Sequence, residues 1–485
     1  MSQQTHSMPT GRFRRTAKIG GLVGGEVART YATKAVNLVR SDEDRTAANG
    51  RRRLEAADRI VEVLGQMKGP AMKIGQMASV LDLGGLPPEE VERLQSKLGE
   101  LRDHAPHTSF KQMRKVIEDE LGDSVEDVFA EFDPNAVAAA SIGQVYRARL
   151  HDGRDVAVKV QYPRVAAAVN ADLQSLGLIL RAAKRLAPGI DPASTAVELR
   201  ERIGEELDYE HEAQAQRAFA RRWRGHPFVF IPDVVTSLCR TRVLVTEWID
   251  GIGFEQIKSA PQGTRDRVGE AVLRFFLGSL YRFGQFSGDP HPGNFRLMAD
   301  GRVAFLDFGM TKTVARSRIE AELGVIRAAL EHDGDAVRAG LATLGFFALD
   351  DRRFDPAQVL EHVRAINAWY VDDEPVTLTP QYVSSLLAHA GDPRSKYWDL
   401  MRNETVPAES LLSSRMQVMT LAAIGQLRAR ANWHSVMAEW LYGSAPATPL
   451  GAAEAEFFAV DGTNTSRCGR GHRWRSSSPS TATLR

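Results

Sequence analysis

The chain has 485 residues, enough for two or three domains whose core stands without disulfides or structural metals. Its 62 Lys and Arg against 61 Asp and Glu leave a formal net charge of +1, and its aromatic residues are not interleaved with basic runs, so nucleic acid is excluded as an expected partner. The two cysteines, Cys239 and Cys468, suit a reducing compartment, and "CGRGH" around the second supplies one Cys and one His where a structural zinc needs four ligands.

The first 40 residues hold seven Lys or Arg against one Glu. Residues 1–45 are therefore expected to be a loosely ordered basic segment, with contact at an anionic membrane surface or a cleaved targeting segment as the alternatives. Residues 46–125 read as a helical extension. "LEAADRIVEVLGQMKG" spaces Ile60, Val63, Leu64 and Met67 as a helix does, Gly69-Pro70 closes it before "AMKIGQMASVLD", and "FKQMRKVIEDELG" stops at Leu121-Gly122.

The period then changes. "AAASIGQVYRARLHDGRDVAVKVQYP" reads as strand, Asp-Gly turn and strand, with Lys159 inside the apolar run Val156 to Val160. A long helical stretch carries "GEELDYEHEAQAQRAF", and "FVFIPDVV" and "RVLVTEWIDG" read as two further strands of the same lobe, the second breaking at Gly251. Residues 126–251 thus form an expected β-rich lobe. Residues 252–445 are expected to be a mainly helical lobe, and 446–485, Ser- and Arg-rich towards the end, a disordered tail. No stretch approaches 18 uninterrupted apolar residues, the richest candidate being broken by Arg274 and Arg282.

A β-rich lobe followed by a helical lobe, with polar residues between them, suggests a nucleotide cleft and an α+β, two-lobed, kinase-like architecture. Lys159, flanked by apolar strand neighbours, is costly unless it meets a carboxylate or phosphate. Glu212, on the next helix, is its expected partner, as the strand Lys and helix Glu of a kinase pair across the small lobe. Taken singly, such a Lys is more often a snorkelling edge residue. The downstream spacing decides otherwise. Asp289 and Asn294 reproduce the D-x-x-x-x-N interval of a kinase catalytic loop, and Asp307-Phe308-Gly309 comes after a short strand pair. Asp300, beside Gly301, is an ordinary hairpin-turn residue.

The chemistry accounts for each residue type. ATP with Mg²⁺ is the expected ligand pair: Lys159 offsets phosphate charge, Asn294 and Asp307 hold the metal, and Asp289 orients an attacking hydroxyl or water. Equally informative are the parts that differ. Ser287-Gly288 stands where "HR" would precede the Asp, no "APE" follows "DFG", and Ala138, Ala139, Ala140 and Ser141 occupy the place of a glycine-rich phosphate loop. Together with Lys159, those four and Glu247 and Ile249, near the end of the "RVLVTEWIDG" strand, make up the expected ATP-binding set.

Six motifs in order, "KIGQ" at Lys73 to Gln76, "AAASIGQV", "VAVKVQYP", "ELDYEHEA", "GDPHPGN" and "LDFG", resemble the ABC1/UbiB atypical kinase family, also called AarF or coenzyme Q8 kinase-like. The resemblance runs from about Ala57 to about Gly345, with a looser helical continuation to about Tyr442. It implies a protein-kinase-like fold whose N-terminal extension, through Lys73 and Gln76, folds over the active site and meets Glu206 and Asp208. It also implies ATP binding and ATPase activity, and a place in prenylquinone lipid biosynthesis at membranes. The C-terminal transmembrane helices of some bacterial members have no counterpart in this sequence.

The leading expectation is therefore an ATP-dependent atypical kinase or ATPase acting on a small-molecule or lipid substrate, cytoplasmic, with peripheral membrane attachment as the alternative. Two other readings are a small-molecule phosphotransferase of the aminoglycoside or choline kinase type, and a nucleotide-sensing scaffold with little turnover. The sequence sets neither the phosphoryl acceptor nor the oligomeric state.

Overall fold

The computed structural model describes residues 108–460 except 141, 168–196, 198–203, 205–206, 392–394 and 402. The expectations for Lys73, Gln76, Ser141 and Glu206, for the segment 1–45, for most of the extension and for residues 461–485 of the tail lie outside the described residues.

The first lobe is built on a five-stranded antiparallel sheet. Helix α1 (Phe110–Leu121) ends where Gly122 takes a left-handed φ of 84° and donates its N–H to Glu118 O, as the Leu-Gly pair predicts. A short helix α2 (Val125–Val128) leads into β1 (Phe129–Phe132); β2 (Ala138–Ala139), β3 (Gly143–Leu150) and β4 (Asp155–Gln161) follow. Strand β3 pairs along one edge with β1 and β2 and along the other with β4. The β3–β4 turn is the expected Asp-Gly turn, with Gly153 at φ 88°. Alternation puts Tyr146, Ala148, Val156, Val158 and Val160 into one core with Met113, Val116 and Ile117 of α1. The end of the extension is therefore integral to this lobe.

Helix α3 (Tyr209–Arg222) crosses the sheet, and β6 (Val243–Glu247) pairs antiparallel with β4, setting Lys159 opposite Leu244. One strand expectation fails here. "FVFIPDVV" yields β5 (Val229–Phe230), which pairs in parallel with β9 (Val303–Phe305) of the second lobe, and reaches the first sheet only at its end, where Val234 forms an isolated antiparallel bridge with Thr246 of β6. Pro232 has no N–H to continue a ladder, and Phe228 and Val229 are buried in the helical lobe's core. The fifth strand of the first sheet is β1.

The second lobe hangs on α5 (Gln262–Phe283), buried at every position from Val268 to Tyr281 and preceded by the short α4 (Phe254–Lys258). Close approaches explain two of its glycines: a β-carbon at Gly269 would stand 2.5 Å from Ala429 Cβ, and one at Gly278 3.1 Å from the Trp440 ring. Strands β7 (Gln285–Ser287), β8 (Phe295–Leu297), β9 and β10 (Thr311–Thr313) carry the polar loops, and α6 (Arg316–Leu330) to α13 (Pro449–Val460) complete the lobe. Within that range, α11 (Ala408–Leu427) contributes Leu412, Met416 and Ile424 to the core shared with α5.

The tail expected to be disordered from 446 instead carries α13. Its Leu450 and Phe458 enter the core, and its buried Glu454 accepts from Arg274 Nη1 at 3.0 Å and Arg282 Nη2 at 3.1 Å. Apolar and ionic burial on one short helix outweighs the polar composition that comes after it in sequence.

Candidate active site

Three local structures converge between the lobes. On β4, Val156, Val158 and Val160 face the core, so Lys159 faces the other way, towards α3. Its Nζ donates to both oxygens of Glu212, at 2.8 and 2.9 Å, and lies 3.7 Å from Asp307 Oδ2 and 5.0 Å from the Tyr209 ring centroid. Glu212 is 2% exposed and Lys159 18%. Burial alone would pull the ammonium towards neutrality, but Asp307, then Glu212 and Tyr209, outweigh it and hold the pKa well above that of an ordinary lysine. The site thus keeps a fixed cation between two carboxylates.

Asp307 is set by the break after β9. Its Oδ1 accepts from Gly309 N at 3.0 Å, Ser287 Oγ donates to its carbonyl at 3.1 Å, and the fully buried Phe308 packs 5.0 Å from the Phe219 ring of α3. Leu306 N donates to Asn294 O at 2.8 Å, and Phe295 stands opposite Phe305, which brings Asn294 next to the acid. Asn294 Nδ2 in turn donates to Asp289 O at 3.2 Å. His291 Nδ1 accepts from Gly293 N at 3.0 Å and closes the turn between them. Asp300 remains a turn residue, its Oδ1 accepting from Arg302 N.

Asp289 is 6% exposed. Facing it is a residue that sequence reasoning missed: Arg415 of α11, whose Nη1 donates to Gly288 O at 2.7 Å and whose Nη2 lies 3.4 Å from Asp289 Oδ1. The available signal was a lone arginine inside the apolar run "LLSSRMQVMTLAAIGQL".

The structure thus brings Lys159, Glu212 and Asp307 together and sets Asn294 against Asp289; the comparisons bear on the family. The ABC1 atypical kinase-like domain profile matches residues 100–340. The rat (Rattus norvegicus) protein "Atypical kinase COQ8B, mitochondrial" is 32% identical over 355 residues, 73% of this chain and 66% of that protein. The Saccharomyces cerevisiae protein "Atypical kinase COQ8, mitochondrial" is 31% identical over 319 residues, 65% of this chain and 62% of that protein. Among solved structures, the Rv3197–erythromycin complex from Mycobacterium tuberculosis matches with a TM-score of 0.59 and 30% identity, covering 83% of this chain and 98% of that one.

The chain belongs to the ABC1 atypical kinase-like family. It spans between half and about two thirds of the length of the first curated relatives it matches, 66%, 50% and 57%. The kinase-like two-lobed α+β fold read from the sequence is the fold found.

The alanine motif begins on β2, which pairs antiparallel with β3. Ala138 and Ala139 are exposed on β2, Ala140 N donates to Gly143 O at 2.8 Å, and a β-carbon at Gly143 would stand 2.1 Å from Val160 O. Only glycine fits there, so the single Gly of "AAASIGQV" serves the strand pairing. Asp208 sits at the N-cap of α3, its Oδ1 accepting from Glu210 N at 2.9 Å and His211 N at 3.4 Å. Glu247 and Ile249 stand where β6 leaves the first lobe. The Glu247 carboxylate accepts from Asp233 N at 3.4 Å and is not among the partners of Lys159, and Ile249 is buried.

The donor set suits Mg²⁺ delivered with phosphates. Among the described residues no group of three or more His, Cys, Asp or Glu could by itself cage a metal. One carboxylate from Asp307 and one carboxamide oxygen from Asn294 match a hard cation that keeps waters and takes its remaining ligands from a polyphosphate. No helix among the described residues is long and apolar enough to cross a membrane.

Proposed function

We propose that this ABC1-family chain binds Mg-ATP between its lobes and catalyses Mg-dependent phosphoryl transfer, to water or to a small-molecule or lipid acceptor. The observation that carries the reading is the meeting of Lys159 with Glu212 at 2.8 Å and Asp307 at 3.7 Å, beside a loop that places Asp289 and Asn294 together. Lys159 neutralises phosphate charge and is itself oriented by Glu212. Asn294 and Asp307 hold the metal, whose chemistry when bound is to offset charge developing on the phosphate oxygens. Asp289 accepts the proton of the attacking hydroxyl or water.

The acceptor class rests on the chain just past the DFG motif. Only six residues, Met310 to Ala315, separate Gly309 from the first residue of α6, and Thr311–Thr313 of that segment pair with Gln285–Ser287. There is no length of chain to form the platform on which a kinase lays a peptide. In this reading the extension bearing Lys73 and Gln76 covers the cleft and meets Glu206 and Asp208, and the alanine motif limits how closely the backbone encloses phosphates. We place the activity in quinone or other isoprenoid-lipid metabolism, with the basic segment 1–45 as a peripheral membrane contact. The testing experiment is ATP hydrolysis by the full chain with and without Mg²⁺, anionic vesicles and phenolic isoprenoid-like compounds, against Asp289→Asn. A fall of ~10²-fold or more is expected for the variant. Robust phosphorylation of generic protein substrates, absent in Asp289→Asn, would overturn the acceptor class.

Within that acceptor class, a macrolide-like small molecule, as against water, draws support from the similar Mycobacterium tuberculosis structure, which is of a complex with erythromycin. Phosphate release in the presence of macrolides, against phosphate transferred to them, separates the two.

A further inference from the structure

Arg415 is 2% exposed, and both of its hydrogen bonds end on the start of the catalytic loop: Nη1 on Gly288 O at 2.7 Å and Nη2 on Asp289 Oδ1 at 3.4 Å. Its Nε is buried with no hydrogen-bond partner among the described residues. A buried guanidinium carries a large desolvation penalty, and an orphan N–H adds to it, so an apolar side chain would suit a core helix better if stability alone were at stake.

The surroundings make the guanidinium a fixed point. One turn earlier on α11, Leu412 presses on Gly288 so closely that a β-carbon there would stand 2.8 Å from its Cδ1. Met416, the residue after Arg415, is fully buried. At the helix start, Arg318 Nη2 donates to Ser410 Oγ at 2.6 Å and Arg318 Nη1 to Glu409 Oε2 at 2.9 Å, tying α11 to α6. From the other side the loop is held by Gly288 N donating to Met310 O at 2.6 Å. The loop itself has no arginine beside Asp289, since Ser287-Gly288 precedes it.

We infer that Arg415 is a positioning residue: it fixes the Gly288–Asp289 peptide and orients the Asp289 carboxylate towards the acceptor from a core helix. This rests on Asp289 acting as the base of the proposed phosphoryl transfer. Because the support comes from a packed helix and the segment after Gly309 is six residues long, alignment of the base does not wait on phosphorylation of a mobile loop.

The test uses the full chain as wild type, Arg415→Met, Arg415→Lys, Asp289→Asn and the double variant Arg415→Met/Asp289→Asn. Steady-state ATP hydrolysis, Mg-ATP affinity and amide hydrogen exchange over residues 285–295 are read for each. Arg415→Met is expected to lower kcat by ~10²-fold with KM for ATP within about twofold, because only the base is displaced. In the Asp289→Asn background the same change should alter the residual rate by less than about threefold. Arg415→Lys, which keeps the charge but loses the planar fork, should fall between wild type and Arg415→Met, and it serves as the test should Arg415→Met not fold. Exchange should rise in 285–295 and not elsewhere. An unchanged kcat, an equal loss in both backgrounds, or a loss confined to KM would overturn the inference. If wild type binds Mg-ATP but hydrolyses none, the base reading of Asp289 fails; selective loosening of 285–295 would still support the positioning, and unaltered exchange there would refute it.

Discussion

Gly309 lies against the carboxylate of Glu212: a β-carbon there would stand 3.3 Å from Oε2 and 3.4 Å from Asp307 Oδ1. Glu212 is held on its other side by both hydrogen bonds from Lys159, so it has little room to give. Gly309 is not among the glycines at positive φ, so alanine fits its backbone. Gly309→Ala is expected to fold with an unfolding midpoint within a few degrees of wild type while Mg-ATP affinity falls several-fold. Titration calorimetry checks it. Unaltered affinity would mean that nucleotide binding does not depend on how Lys159 and Glu212 meet.

Asp307→Asn keeps an oxygen for the Gly309 N–H, so the turn survives, but it removes the only carboxylate in the pair assigned to the metal. We expect the Mg-ATP-induced rise in unfolding temperature to be largely lost while the melting temperature without nucleotide shifts little. A nucleotide-induced shift of wild-type size would refute the metal assignment.

Acid should destabilise the helical lobe through His226. Burial, then Arg282 and Arg274, pull this histidine from 6.5 down to about 3, while its Nδ1 accepts from Val229 N at 3.2 Å. Between those values the unfolded chain takes up a proton that the folded chain refuses. Stability is therefore lost as pH falls below about 6.5, by up to about 1.4 kcal/mol per pH unit. His362, pulled down to about 4 by burial and by His389, acts in the same direction, so His226→Asn should remove part of the slope, not all of it. Denaturant midpoints of both proteins at pH 7 and pH 5 provide the measurement, and parallel loss in the two would exclude His226 as a source.

Glu454→Ala should cost about 3 kcal/mol or more, because it leaves Arg274, fully buried, and Arg282 short of a carboxylate in the interior. Arg274 keeps Glu270 at 2.7 Å and Glu439 at 2.7 Å, so local detachment of α13 is expected before the lobe itself gives way. Hydrogen exchange over residues 449–460 and the thermal midpoint would show it. A midpoint equal to wild type would mean that α13 is held by Leu450 and Phe458 alone.

The site was legible wherever the chemistry is local to a turn or a strand end. The positions of Lys159, Asp289, Asn294 and Asp307 were each marked by residues a few places away, and their order linked them. Glu212 was readable because a lysine flanked by valines demands a carboxylate. Arg415 was not: it reaches the catalytic loop across 126 residues, and no spacing rule connects an arginine in an apolar helix to one particular loop. Strand identity failed for the same reason. Val229 and Phe230 have strand character in either lobe, and only the parallel pairing with Val303 and Ala304 settles which. Helix α13 was hidden by averaging a short apolar stretch with the polar residues after it.

The seating of Phe308 bears on how this site could be switched off. It is fully enclosed, 5.0 Å from Phe219 and 6.4 Å from Phe275, and the chain on both sides is sewn down, through Asp307 to Ser287 and through Met310 to Gly288. In kinases the packing of this ring distinguishes active from inactive states. Here both flanks are tied, so an inactive state reached by moving this ring would have to break the Asp307–Ser287 and Met310–Gly288 contacts first.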